Sequence, residues 1–240
     1  MSSALLLIMG PLIGGLLAFF SSKIYERQLK LFLSFAGAYL LSVTLTQLIP
    51  EVFQEFNAYK GLFVLSGFLF QVFLERYSEG IEHGHMHIHH HLKKKVIPLG
   101  IFVSLSFHSF TEGIPIGALL SSEESAFALI VGIFLHEIPA SFTMMTIFKG
   151  LNLPSKTLIT LLVIYAFMAP AGVISSQFIG NHIPEVLFDY LMAFIIGTFL
   201  HISTTILFES SEHHGFPTGK LVAVVVGILL AIGVGYLAAH

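Results

Sequence analysis

The chain contains no cysteine and no tryptophan, and only 10% of its 240 residues are charged. Without cysteine there are no disulfides and no thiolate ligands, so any bound metal must be held by nitrogen and oxygen atoms, and the redox compartment is left open. The scarcity of charge excludes a water-soluble surface: with 55% hydrophobic residues and a mean hydropathy of +0.87, the chain belongs in a bilayer. Basic residues are also missing before the first apolar run. That run opens with Met1-Ser2-Ser3 and no small-residue cleavage site follows it, so it reads as a true span and not as a signal peptide.

Eight apolar runs are present, at Ala4–Phe20, Leu31–Ile49, Gly61–Leu74, Val96–Leu120, Ala126–Phe148, Thr157–Ile179, Val186–Phe208 and Leu221–Ala239. A helix of roughly 20 residues crosses a hydrocarbon core of about 30 Å, and all but the short third run approach or exceed that length. The runs are apolar at consecutive positions, which selects membrane helices over the alternating strands of a barrel. The predicted fold class is all-α: a polytopic bundle of eight transmembrane helices forming a single domain over residues 1–240.

Ten of the eleven Lys and Arg residues fall on one side of this arrangement, and only Lys60 falls on the other, with Glu51, Glu55, Glu123, Glu124 and Glu185. The positive-inside rule makes the ten-residue side cytoplasmic and places both termini outside the cytoplasm. The cytoplasmic loop at about residues 76–95 carries His83, His85, His87, His89, His90 and His91, six of the thirteen histidines. Such a tract chelates borderline metals through imidazole nitrogen without fixed geometry, and its position between two spans argues against an expression tag. Glu212-His213-His214 repeats the theme on the same side.

An ionised acid at mid-membrane costs about 2.5–3.5 kcal/mol on insertion scales, so buried His and Glu residues are functional candidates by default. Span four carries His108 and Glu112, whose i, i+4 spacing puts them on one helical face. Span five carries His136 and Glu137. Together they form an N2O2 set that suits Zn2+ and tolerates Fe2+, Mn2+ or Co2+. Pro115 and Pro139 remove the intrahelical bonds to the carbonyls of Thr111 and Leu135, leaving acceptors beside the acids, and helices broken at mid-membrane are a habit of transporters. One His–Glu pair could merely close a hydrogen bond between helices. Two pairs with two prolines favour a metal or proton pathway.

His201 sits among Ser203, Thr204 and Thr205 in span seven, where it could receive an ion on a release path or hydrogen-bond a neighbouring helix. His182 and His240 read as solvated outer residues, and Glu185 and Asp189 could gather cations at an entrance.

The motif His108-Ser109-Phe110-Thr111-Glu112-Gly113 in span four, paired with His136-Glu137-Ile138-Pro139-Ala140-Ser141 in span five, resembles the signatures of the ZIP (Zrt/Irt-like) metal-ion transporters. Leu48-Ile49-Pro50-Glu51 and Gly197-Thr198-Phe199-Leu200-His201 are similar to further motifs of that family, and Gln47 stands where the family often has His. The resemblance implies eight spans, outward-facing termini and a transport site built on spans four and five, so that His108, Glu112, His136 and Glu137 carry over as ligands. Ser109, where the family has Asn, and His201 are auxiliary candidates. Three departures reduce the family's two-metal centre: Ser109, Ala140 in place of a ligand-type His or Glu, and Ala169 in place of a bridging Glu. The expected site therefore holds one ion, with Glu137 as a ligand or as a base behind the ligands.

The function this implies is a divalent metal transporter, for zinc foremost and for Fe2+, Mn2+, Co2+ or Cd2+ as alternatives, moving metal into the cytoplasm across a plasma or inner membrane by alternating access. Its partners are divalent ions and the lipid bilayer, with a second copy of the chain as a candidate; nothing points to nucleic acid. Two other classes compete. A metal sensor would bind the ion without moving it, which the missing ligands favour. An intramembrane metalloprotease needs His-Glu-x-x-His, and Ala140 stands where the second histidine belongs.

Overall fold

The computed structural model describes residues 2–20, 26–55, 57–78, 98–118, 123–209 and 217–238, and every regular element among them is helical. In chain order these are α1 (Ser2–Phe20), α2 (Glu26–Val43), a π turn (Thr44–Leu48), α3 (Ile49–Val52), α4 (Ala58–Ser78), α5 (Leu99–Ala118), α6 (Glu123–Gly150), α7 (Ser155–Ala166), α8 (Met168–Gly180), α9 (Glu185–Glu209) and α10 (Thr218–Ala238).

Six segments among the described residues are long and apolar enough to cross a membrane: Arg27–Val52, Ala58–Ser78, Ala126–Gly150, Ser155–Gly180, Glu185–Phe208 and Thr218–Leu237. The chain is therefore a multi-pass membrane protein. The first predicted span forms the shorter apolar helix Ala4–Phe20. The fourth, α5, is fully helical over 20 residues, but His108, Glu112 and the hydroxyls of Ser104, Ser106, Ser109 and Thr111 dilute its apolar character. The third, the short run Gly61–Leu74, belongs to a 21-residue helix whose polar ends include Lys60, Glu75 and Arg76.

The prolines act differently from the expectation. Both α5 and α6 run unbroken through Pro115 and Pro139. The interruption lies in span six, where Phe167 separates α7 from α8: Pro170 has no N–H for the Ala166 carbonyl, and the chain turns tightly there through a Phe167-to-Ile164 hydrogen bond of 3.2 Å. A second irregularity precedes Pro50, where the Ile49 N–H reaches back to the Thr44 carbonyl across a widened turn.

In lipid the apolar effect does not press helices together, so close packing of small residues must do so. A β-carbon at Gly14 of α1 would collide with the Ile138 carbonyl of α6, next to His136 and Glu137; one at Gly113 of α5 would collide with the Ala169 carbonyl of α8, next to Glu112. The most extensive packing pairs α1 with α6, α5 with α8, α4 with α9, and α2 with α10.

Lysines tie helix ends, as expected for cations at carbonyl-rich C-termini. Lys149 of α6 donates to the carbonyls of Ala18 and Phe19 at the end of α1, and Lys220 of α10 donates to Leu207 near the end of α9. At the opposite end of α9, Lys60 donates to the Val52 carbonyl at 2.7 Å and pairs with Asp189 at 2.7 Å. Lys60 thus pairs with Asp189, whose side chain remains 38% exposed. Glu185 stays exposed.

The buried apolar residues divide into two clusters. One gathers Leu129, Ile130 and Ile133 of α6 with Ile114 and Ile116 of α5 and Ile195, Ile196 and Phe199 of α9. The other gathers Phe142, Met144, Met145 and Phe148 of α6 with Ile101 and Leu105 of α5 and Ile202 and Ile206 of α9. His108, Glu112, His136 and Glu137 fall between the two along α5 and α6.

Candidate metal centre

The i, i+4 spacing on α5 does what the sequence predicts: His108 and Glu112 share a face, with Nε2 of His108 3.3 Å from Oε1 of Glu112. From α6, His136 turns Nε2 toward both, at 3.3 Å from His108 Nε2 and 3.9 Å from Glu112 Oε1. These three form the one group of potential metal ligands found among the described residues. All are at most 1% exposed.

The spacing suits an ion. Tetrahedral zinc with bonds of about 2.0–2.1 Å holds its ligand atoms about 3.3–3.4 Å apart. A point equidistant from the three atoms here lies about 2.0 Å from each, so a zinc-sized ion fits without parting the helices. Two imidazole Nε2 atoms facing each other cannot both carry a proton, and a dication would satisfy both lone pairs together with the carboxylate.

Glu137 stands beside this triangle and not in it. Consecutive residues lie about 100° apart on a helix, so Glu137 leaves α6 in a different direction from His136 and is not part of the group formed by His108, Glu112 and His136. The Glu137 carboxylate neighbours the hydroxyls of Ser109 and Tyr165 and the carboxyl of Glu112, yet neither of its oxygens, nor the Ser109 hydroxyl, makes a hydrogen bond of standard geometry. At 0% exposure an ionised carboxylate here would be costly. Ala140 and Ala169 are buried at 1% and 0% exposure and bring only methyl groups. Position 140 offers no second imidazole, so the His-Glu-x-x-His pattern is not completed on α6.

His201 on α9 binds a neighbouring helix: its Nε2 lies 2.6 Å from Glu75 Oε2 of α4, with the Phe68 ring edge-on at 4.9 Å. Glu75 escapes sequence reasoning because hydropathy trims span three at Leu74. Gln71, fully buried one turn earlier on α4, places Nε2 3.4 Å from His108 Nδ1; an amide inside an apolar run is the signal that could have found it. Gln47 packs against Gly235 of α10. His182 is exposed and stacked on Phe178. His83, His85, His87, His89, His90 and His91, with His213, His214 and His240, lie outside the described residues.

Comparison with known proteins agrees with this chemistry. The family model described as ZIP Zinc transporter matches residues 78–235. A curated relative, Protein zntD of Dictyostelium discoideum, is 30% identical over 152 residues, which cover 57% of this chain and 22% of that protein. The chain thus spans about a fifth of the length of that relative. Since the family match extends over more than half of its length, the chain belongs to the ZIP zinc transporter family, a family of transporters and not of enzymes.

Proposed function

We propose that the chain moves a divalent metal ion, zinc foremost, into the cytoplasm, and that His108, Glu112 and His136 hold that ion midway. The observation that carries this reading is the convergence of two Nε2 atoms and one carboxylate oxygen at zinc-ligand spacing in the buried interior. Two nitrogens and one oxygen also accommodate Fe2+, Mn2+, Co2+ or Cd2+. Glu137 and Ser109 act beside the ligands and not as a second centre, so one ion crosses at a time. His201 with Glu75 takes part in release.

In this reading the chain is one transporter domain of eight spans in a plasma or inner membrane, with both termini outside and the histidine tract of residues 76–95 sampling metal at the cytoplasmic face. Transport proceeds by alternating access, α1 and α5 to α8 moving against α2, α4, α9 and α10. The principal helix pairings fall within these two groups, as do the lysine contacts of Lys149 with α1, Lys220 with α9 and Lys60 with Asp189 of α9, which supports the division. A homodimer is compatible with the apolar outer faces of α4 and α10.

The experiment is metal flux into vesicles reconstituted with the full chain, offering Zn2+, Fe2+, Mn2+ and Cd2+ in turn. Zinc uptake abolished by Glu112→Ala is the expected result. Binding without flux in the wild type would favour a sensor, and flux indifferent to Glu112 would sink the site.

A further inference from the structure

We infer that Gln71 is a positioning residue for the ion site: on loading, its side-chain amide turns over, so that the carbonyl oxygen accepts a hydrogen bond from His108 Nδ1 and fixes the ring with Nε2 free for the metal. This rests on reading His108 as a ligand.

A neutral imidazole has one proton, and the partner of one ring nitrogen decides which nitrogen carries it. In the ion-free geometry Gln71 Nε2 is the atom facing His108 Nδ1, at 3.4 Å. An amide donor there leaves Nδ1 as acceptor and puts the ring proton on Nε2, the nitrogen 3.3 Å from both His136 Nε2 and Glu112 Oε1. That tautomer cannot bind metal through Nε2. A metal on Nε2 forces the proton to Nδ1, and Nδ1–H then needs an acceptor. Gln71 is the side chain that faces it.

An amide interchanges its oxygen and nitrogen by a half-turn with almost no change in shape. Nothing else among the described residues holds this one in place: Gln71 is fully buried and its Oε1 has no hydrogen-bond partner. The two orientations are therefore close in energy, and the imidazole chooses between them. Gln71 stands on α4 and His108 on α5, so the amide also carries the state of the site to a helix of the other group.

The donor and acceptor roles are separable. Gln71→Glu offers only an acceptor when ionised, and Gln71→Met fills a similar volume with neither role. In the vesicle assay, zinc KM should rise by roughly 10- to 100-fold in Gln71→Met, the usual loss when the partner of a ligating histidine is removed, and stay within about threefold of wild type in Gln71→Glu. Equal damage in both variants would mean a donor or a packing role and would overturn the inference; so would two variants like wild type. A structure of the zinc-loaded wild-type chain tests the same point without mutation. The Gln71–His108 distance should shorten to about 2.8–3.0 Å, and an amide that has moved away from Nδ1 would refute it. Wild-type flux that His108→Ala leaves intact would instead defeat the underlying site assignment.

Discussion

Gly113→Ala tests whether packing outside the ligand set holds the ion site in shape. The added methyl would meet the Ala169 carbonyl and crowd the backbone nitrogen of Val173, both backbone atoms of α8, and neither can swing aside as a flexible side chain would. The helices must part by on the order of 1 Å to restore ordinary contact, a change that costs about 1–3 kcal/mol in a packed interior. Glu112 is the preceding residue and His108 lies one turn further back, so the displacement is passed to two of the three ligands. The site has edges of 3.3, 3.3 and 3.9 Å, and functional constellations tolerate only about 0.5 Å of error. A misplacement of about 1 Å can reduce activity by up to roughly 100-fold. The assay is vesicle zinc uptake together with the thermal unfolding midpoint, and Gly61→Ala is the control. A β-carbon at Gly61 meets nothing within 4 Å, so that variant should be neutral or stabilised by up to about 1 kcal/mol through helix propensity. If Gly113→Ala keeps wild-type uptake and stability, the α5–α8 contact does not position the site and the reasoning fails.

Purified protein with His83, His85, His87, His89, His90 and His91 replaced by serine should retain one equivalent of zinc; two equivalents, measured by elemental analysis, would contradict the single-ion centre. Lys60→Met should lower stability by about 1–2 kcal/mol by stranding the Val52 carbonyl, the half-exposed Asp189 adding little. Denaturation in detergent reads this, and an unchanged midpoint would show that the Lys60 tie is idle. His201→Ala should reduce maximal uptake more than it alters KM, since its bond to Glu75 lies away from the ligand triangle; a change confined to KM would place His201 in the binding step.

The legible part of the site was the part that obeys one helix's own period. His108 and Glu112 meet because they are four apart on α5, and that is visible without any knowledge of neighbours. The same rule separates His136 from Glu137, which a shared depth alone does not reveal. What the sequence hides are meetings between helices. Gln71 reaches His108 and Glu75 reaches His201 only because α4 lies beside α5 and α9, and the pairing of helices depends on where small residues allow contact. The prolines show the same limit. Pro139 stands inside a continuous helix and Pro170 beside a break, although the local chemistry of the two is alike.

The placement of the ligands between two apolar clusters bears on how an ion could cross. A hydrated dication passes neither cluster, because dry, close-packed side chains give it no substitute for water. In the proposed alternating-access reading, entry from one side requires one cluster to open while the other stays shut. Both clusters include residues of α5, α6 and α9, together with residues of α1 and α2, and all three proposed ligands come from α5 and α6. Movement of these two helices against α9 would loosen one cluster and compress the other without pulling His108, Glu112 and His136 apart. The ion could then change sides while its proposed ligands keep their spacing, and the contacts that must reform are those at the seam, where Gln71 is a buried polar group reaching across to His108.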